Sequence, residues 1–310
     1  PPQEQLQSLI NLYTQGQYKE VVAQASKLLK NFPNDINLYN ISGAAYQGLG
    51  DLKNAVEAYS KAISIKPDYA EAYYNMGNAL KEKGKLDEAI KHYKKAISIK
   101  PDYAEPYINL GVVLKDQGDL SEAIEAYSKA IYLNPEHAEA YNNSGVIFQE
   151  QKRLDEAIRA HKKAISIKPH YLEAYYNLGN ALKDQGNLDK AIDAYSKAIH
   201  LNPDYAPAYI NLGIVLRGCM FKKPNKRLQN TINLLLSKQN YVRPKDIATA
   251  AISLLKFEPN LQKHLNLDDD KVIESYLTII FDLSNLPLLL KLMSVCPIPD
   301  LDLEALFRKL

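Results

Sequence analysis

A short phrase ending in glycine returns along this chain at a constant interval. Its glycines stand 34 residues apart, at Gly43, Gly77, Gly111, Gly145, Gly179 and Gly213. A fixed period of this length indicates a repeated supersecondary unit, because one such unit cannot bury its apolar face unless neighbours stack on it. The period therefore constrains the fold more strongly than any other feature of the sequence.

Each unit has the pattern of two amphipathic helices. The glycine of the phrase and alanines on the second helix would let the two backbones approach closely, because larger side chains there would overpack the pair. Tyrosines on both helices supply the bulk that fills the remaining space. The alanines are Ala55, Ala89, Ala123, Ala157 and Ala191, with Ala62, Ala96, Ala130, Ala164 and Ala198; the second-helix tyrosines are Tyr59, Tyr93, Tyr127 and Tyr195.

Turn and stop signals recur at the same period. Glycine marks the turn between the helices, where it can adopt a left-handed backbone without steric cost. Lys152 occupies this position in the fourth unit, and a left-handed lysine would carry roughly 1 kcal/mol of strain. Proline closes each unit, since it cannot continue the amide ladder of the second helix. The turn glycines are Gly50, Gly84, Gly118 and Gly186, and the prolines are Pro67, Pro101, Pro135, Pro169 and Pro203.

This order of aromatic, Leu-Gly, Gly, Ala, Tyr, Ala and Pro residues closely resembles the tetratricopeptide repeat. The resemblance implies an all-α fold, a right-handed solenoid of helix pairs in which the first helices line the concave side. Five full units are expected at residues 36–69, 70–103, 104–137, 138–171 and 172–205. A partial sixth unit follows from Ala206 and leaves the pattern after Arg217.

The two flanking regions differ from the array. Residues 1–35 have the outline of a divergent repeat or cap, as expected of a terminal unit with one face in solvent. The array itself is assigned to residues 36–218, and residues 219–310 are expected to form a non-repeat helical module, truncated from a longer chain. Helical spacing in this module occurs at residues 228–238 and 247–257. Further helices are expected at 271–281, capped by Asp268 to Asp270, after Pro287 and from Asp300.

Composition excludes several function classes. The 38 basic and 36 acidic residues give a formal charge of +2, without the dense basic face of a general nucleic-acid binder. Cys219 and Cys296 stand far apart, so neither a zinc site nor a disulfide framework is indicated and a cytoplasmic location is expected. No apolar stretch has the length of a membrane span, and no membrane partner is expected.

An asparagine recurs two residues before the repeat glycine, at Asn75, Asn109, Asn143, Asn177 and Asn211. We call this series the asparagine ladder. A side-chain amide can bond both the C=O and the N–H of an extended backbone. First helices about 10 Å apart would present one amide to about every third peptide residue. The ladder therefore either binds a peptide or forms hydrogen bonds within and between repeats.

Neighbouring first-helix positions should share the concave face with the ladder. These are Tyr74, Asn78 and Lys81 in the second unit and Tyr176, Asn180 and Lys183 in the fifth. Units two and five match here, as do units three and six, and units one and four. The array thus has the pattern of a three-unit block of 102 residues that occurs twice, and a ligand groove should present similar surfaces at two places.

Two subfamilies help to interpret this face. The array resembles the superhelix of the O-linked N-acetylglucosamine transferases, which carries an asparagine ladder beside the repeat glycine. Chaperone-tail-binding members use a basic residue where this chain has Tyr74, Ile108, Asn142 and Tyr176. A carboxylate clamp for chaperone termini is therefore not expected.

The sequence predicts a protein-interaction module that binds an extended peptide or flexible protein segment in its concave groove. No nucleophile elbow, phosphate loop, metal-ligand set or catalytic carboxylate pair is evident, so the chain itself is predicted to be no enzyme and to need no cofactor or metal. Two alternatives stay open. One is the substrate-recruiting front region of a larger bacterial glycosyl-, methyl- or sulfo-transferase, and the other is a scaffold that self-associates through its array ends or C-terminal helices.

Overall fold

The computed structural model is all-helical and describes residues 1–238, 240–265, 276–297 and 300–309. Within those ranges the chain forms helices joined by short turns, and no β-strand occurs. Of the predicted helix at 271–281, residues 276–281 are helical and residues 271–275 lie outside the described residues, as do the predicted capping residues Asp268 to Asp270. The predicted all-α class is confirmed.

The helices follow one another in pairs. They are α1 (Gln3–Thr14), α2 (Tyr18–Asn31), α3 (Ile36–Gly48), α4 (Leu52–Ile65), α5 (Ala70–Glu82), α6 (Leu86–Ile99), α7 (Ala104–Gln117), α8 (Leu120–Leu133), α9 (Ala138–Glu150), α10 (Leu154–Ile167), α11 (Leu172–Asp184), α12 (Leu188–Leu201), α13 (Ala206–Leu216), α14 (Lys226–Ser237), α15 (Pro244–Leu255), α16 (Pro259–Leu265), α17 (Tyr276–Ser284), α18 (Pro287–Val295) and α19 (Leu301–Lys309). Helices α3 to α12 are the two helices of five successive units.

The chain divides into two compact units, residues 1–147 and 148–310. The division falls inside α9, in the fourth repeat. The first unit contains α1 to α8 and most of α9. The second contains the end of α9, the remaining repeats and the C-terminal helices.

Within a repeat, the second-helix tyrosine packs directly beneath the first-helix glycine. A Cβ atom added at Gly77 would lie 2.6 Å from Cε1 of Tyr93, and one at Gly179 would lie 2.6 Å from Cε1 of Tyr195. Real Cβ contacts are never this short, so only glycine leaves room for the ring. Gly43 with Tyr59 and Gly111 with Tyr127 repeat the arrangement. The alanines at the first position of the second-helix series, from Ala55 to Ala191, are fully buried, as the sequence predicts.

The turns also follow the sequence prediction. Gly50, Gly84, Gly118 and Gly186 have positive φ angles between 75° and 89°. Lys152 has a φ of 61° and is the one non-glycine residue with positive φ among the described residues. A left-handed lysine is therefore built into the fourth repeat.

The second helix that the sixth repeat lacks is replaced by a loop of the C-terminal module. A Cβ on Gly213 would collide with the side chain of Val242, which occupies the place that a tyrosine takes in full repeats. The ring of Tyr241 stacks on that of Tyr209 at a centroid distance of 5.8 Å. The module thus continues the packing of the array onto α13.

The apolar run of α18 is largely covered. Leu288, Leu289 and Leu292 are buried, and α18 packs on α14 and α15. An apolar surface nevertheless remains on α17 and α18, where Leu277 is 80% and Phe281 67% exposed.

Of the described helices, none alone has the length and apolar character of a membrane span. Leu277–Ser284 and Pro287–Val295 meet that test only as a pair bent by 87°.

Exchanging the residues at two equivalent turns tests the strain at Lys152. We expect Lys152→Gly to raise the free energy of unfolding by about 1 kcal/mol, because glycine adopts the left-handed backbone without a steric penalty. The reverse exchange, Gly186→Lys, should lower it by a similar amount. Urea denaturation of both variants measures the effect; equal stabilities for Lys152→Gly and the wild type would contradict it.

His161 provides a pH test. It takes the place of the second-helix tyrosine, is fully buried, and burial lowers its pKa from 6.5 to about 4. Between pH 6.5 and pH 4 this histidine is protonated in the unfolded chain but neutral in the folded chain. The free energy of unfolding should therefore fall over that range and then level off. The loss is about 3 kcal/mol. We expect His161→Tyr to remove this component, so that its stability advantage over wild type grows as the pH falls. An equal difference in unfolding free energy between His161→Tyr and the wild type at pH 7 and at pH 4.5 would contradict the lowered pKa of His161.

Candidate functional site

The asparagine ladder lies on successive first helices. Asn75 is on α5, Asn109 on α7, Asn143 on α9, Asn177 on α11 and Asn211 on α13, and all five side chains are half-buried. The helical period places each of these residues close to the repeat glycine on its first helix; at Asn75, Asn109 and Asn177 that glycine receives a tyrosine ring. The ladder positions are therefore accessible in part, as expected for a ligand site.

The hydrogen bonds of Asn109 are made within the array. Its Nδ2 donates to the hydroxyl of Tyr74 at 3.2 Å and to Oδ1 of Asn78 at 2.8 Å. An amide nitrogen carries two hydrogens, so both donors of Asn109 are used between the second and third repeats. Only its oxygen is left for a ligand, which differs from the two-way peptide bonding that the ladder suggested.

The side-chain amide of Asn78 can donate hydrogen bonds to a ligand. Its Oδ1 accepts from the hydroxyl of Tyr93 at 2.8 Å and from Asn109 at 2.8 Å. These two bonds use both lone pairs of the oxygen and fix the orientation of the amide plane. No described residue accepts a hydrogen bond from Nδ2 of Asn78. The two Nδ2 hydrogens of Asn78 are therefore held in a fixed orientation and make no hydrogen bond to any described residue.

Aromatic rings surround this amide. The ring of Tyr74 lies 5.2 Å from that of Tyr103 and 6.2 Å from that of Tyr93. Burial raises the pKa of Tyr93 and of Tyr103 far above the usual range, so both phenols stay protonated. Lys100 places its Nζ 5.0 Å from the centre of the Tyr103 ring. We call Tyr74, Asn78, Tyr93, Tyr103 and Asn109 the first amide–tyrosine cluster.

A matching set lies in the second unit of the chain. Asn211 Nδ2 donates to the Tyr176 hydroxyl at 3.1 Å and to Asn180 Oδ1 at 2.8 Å, and the Tyr195 hydroxyl donates to the same Oδ1 at 2.8 Å. The Tyr176 ring lies 5.4 Å from that of Tyr205. We call these five residues the second amide–tyrosine cluster.

Lys81 and Lys183 lie one helical turn beyond Asn78 and Asn180, in the last turns of α5 and α11. Both side chains are half-buried, and neither forms a salt bridge within the described residues. Each cluster is therefore accompanied by a cation on the same helix.

A cavity of about 580 Å³ opens on the first helices at the N-terminal end of the array. Its walls come from α1, α3 and α5, and include Leu6, Ile10, Asn37, Asn40 and Asn75. The Nδ2 of Asn75 donates to Oδ1 of Asn40 at 3.0 Å. Asn40 was not among the site residues predicted from the sequence, because the first unit has Ile41 at the ladder position. The recurrence of this residue as Asn142, 102 residues later, was the available signal.

A larger cavity of about 810 Å³ contains none of the predicted site residues. It lies over α7 between α6 and α8, with Tyr107, Leu110 and Ile124 in its apolar lining. Lys94 and Glu122 bridge its rim at 3.2 Å, and Tyr132 at its edge is 80% exposed. It lacks the fixed amide donors of the clusters, so size alone does not make it the better candidate.

No group of three or more His, Cys, Asp or Glu side chains suited to a metal ion occurs in the part of the chain that the structure describes. The chemistry on the first-helix face is hydrogen bonding, aromatic contact and isolated positive charge. These are the means of binding a polar chain.

Comparison with known proteins places the repeats in a family. The TPR repeat model matches residues 43–84, 77–118, 113–152 and 147–186, and the Tetratricopeptide repeat model matches residues 172–205. No curated protein sequence matches this chain at a significant level.

Many solved structures share the fold. MamA is 31% identical over 53% of this chain and 96% of its own, with a TM-score of 0.50. YrrB, described as a TPR protein with an unusual peptide-binding site, is 26% identical over 59% of this chain and 95% of its own, with a TM-score of 0.51. PilW, described as a widely conserved type IV pilus biogenesis factor, is 20% identical over 74% of this chain and 96% of its own, with a TM-score of 0.59, and supports the fold alone.

The family models together span residues 43–205, more than half of the 310-residue chain. The helix pairs that they describe are those seen in the structure, with a tyrosine beneath the glycine in the first, second, third and fifth repeats. This protein therefore belongs to the tetratricopeptide repeat family, and its array is a protein–protein interaction module.

Proposed function

We propose that the first-helix face of the array binds an extended segment of a partner protein. The observation that carries the proposal is the pair of fixed, unused amide donors at Asn78 and Asn180. A donor held in place before binding loses little conformational freedom when it meets a ligand carbonyl. More of its hydrogen-bond energy therefore contributes to the binding affinity. YrrB, whose structure is described by its peptide-binding site, is a similar repeat protein and supports the same class of ligand.

Backbone carbonyls are the natural acceptors for these donors. Every residue of an extended segment offers one, so an amide that bonds a carbonyl does not select a particular side chain. Tyr74 and Tyr176 add half-buried rings beside each amide, and Lys81 and Lys183 favour acidic side chains. The expected ligand is an extended, acceptor-rich segment with acidic residues, bound with modest affinity and broad specificity.

The N-terminal cavity extends this surface in the first unit. Its walls combine Leu6 and Ile10 with the amides of Asn37, Asn40 and Asn75. An apolar side chain of the segment would enter it while the neighbouring amides form hydrogen bonds with the backbone of the segment. Mixed lining of this kind is typical of ligand sites, in which apolar walls supply affinity and a few polar groups fix orientation.

Replacing asparagine by aspartate at the two donor positions tests the proposal. Aspartate keeps an oxygen acceptor for Tyr93 and Asn109, or for Tyr195 and Asn211, but removes the Nδ2 hydrogens. We expect Asn78→Asp with Asn180→Asp to leave the melting temperature nearly unchanged. Binding should weaken about tenfold at each site, because a net hydrogen bond contributes about 1 kcal/mol and an added carboxylate repels an acidic segment.

The probe is a peptide of about six residues selected from a displayed random library on the wild-type protein; that length, extended, spans about two first helices, which is the extent of one amide–tyrosine cluster. Fluorescence anisotropy measures its affinity for each variant. Tyr132→Ala, which changes the larger cavity, is the control and should bind like wild type. A library that yields no binder, or a binder that is lost in Tyr132→Ala and unaffected by the aspartates, would overturn the proposal.

A further inference from the structure

The two amide–tyrosine clusters agree bond by bond. The hydrogen bonds of the first, at 2.8, 2.8 and 3.2 Å, correspond to 2.8, 2.8 and 3.1 Å in the second. The ring separations of 6.2 and 5.2 Å correspond to 6.1 and 5.4 Å. Each unit of the chain therefore contains the same arrangement of donors and rings.

Packing does not require the residues that distinguish these clusters. The position of Asn78 and Asn180 is an aliphatic residue in the other repeats, at Ala44, Val112, Val146 and Ile214. In the other repeats, the residues that correspond to Tyr74 and Tyr176 are Asn40, Ile108, Asn142 and Ile210. The repeat thus folds with either kind of side chain, and the asparagine and tyrosine must be explained by something other than the fold.

Other surfaces of the same two repeats have diverged. On the second helix, Glu88 corresponds to Lys190 and Lys91 to Asp193, so the charge is reversed at both positions. All four of these residues are exposed. Tyr74, Asn75, Asn78 and Lys81 are nevertheless identical in type to Tyr176, Asn177, Asn180 and Lys183. The similarity is concentrated on the first-helix face, where the proposed ligand binds.

We infer that the chain has two equivalent sites for the same segment, one at each amide–tyrosine cluster, and that its partner carries two copies of that segment in tandem. This inference rests on the proposed function and adds to it the number of sites and the class of partner. The backbone carbonyls of each copy accept hydrogen bonds from Nδ2 of Asn78 or Asn180, and its acidic side chains lie near Lys81 or Lys183. Linking the copies makes the second binding event intramolecular, which raises the overall affinity without new contacts.

One difference separates the two sites. Lys100 lies over the Tyr103 ring and pairs with Glu71 at 3.5 Å, whereas the neutral Asn202 stands at the corresponding position of the sequence. The first site therefore carries one more positive charge. We expect it to bind an acidic copy the more tightly, and the difference between the sites to shrink as salt screens exposed charges.

Calorimetry with the selected single-copy peptide counts the sites on the full chain. The wild type should bind two peptides, whereas Asn78→Asp alone and Asn180→Asp alone should each keep one strong site. Equal melting temperatures and an unchanged far-ultraviolet circular dichroism spectrum would establish that the variants are folded.

A tandem peptide provides the second measurement. Two copies joined by flexible linkers of graded length should bind the wild type at least a hundredfold more tightly than one copy at the best length. Either single substitution should remove most of that gain. A scrambled second copy on the same linker is the control and should give no gain.

The outcomes separate the two proposals. A stoichiometry of one in the wild type, with binding sensitive to only one of the aspartates, would overturn the two-site inference and leave peptide binding standing. Two bound peptides with no gain at any linker length would overturn the tandem partner. Failure of the library to yield any binder would overturn both.

Discussion

The contact between a first-helix glycine and a second-helix tyrosine controls this structure. The ring of Tyr93 lies where a side chain on Gly77 would be, and Tyr195 does the same under Gly179. The two helices can come this close only because one of them has no side chain at the contact. The distance between the helices, and hence the surface that each repeat offers its neighbour, follows from this pair.

The same tyrosine reaches beyond the core. While the ring of Tyr93 fills the space beneath Gly77, its hydroxyl donates to Asn78 on the first-helix face. Tyr195 links Gly179 and Asn180 in the same way. A residue that the repeat pattern explains as packing therefore also holds the amide of the candidate site. At these two positions a single side chain therefore serves both the packing of the repeat and the geometry of the candidate site.

The sequence predicted what depends on a single position within the period. The 34-residue spacing, the small residues at the helix contact and the left-handed turn at Lys152 follow from local chemistry, and each was found. The hydrogen-bond partners of the ladder asparagines could not be predicted in this way. Asn109 has the same hydrogen-bonding groups whether it faces a ligand or Asn78, and only the geometry of two stacked repeats decides. The role of Tyr241 and Val242 was hidden for a similar reason, since they lie outside the period and meet α13 only through the fold.

Each amide–tyrosine cluster needs two successive repeats. Asn78 and Tyr93 come from one repeat and Asn109 from the next; in the second cluster, Asn180 and Tyr195 come from the fifth repeat and Asn211 from the sixth. The sixth repeat has no second helix of its own, so its first helix would lack support beneath Gly213. The C-terminal module supplies that support with Val242 and Tyr241, and thereby fixes the helix that carries Asn211. The partial repeat and the module together therefore complete the second cluster, which the five full repeats alone could not form.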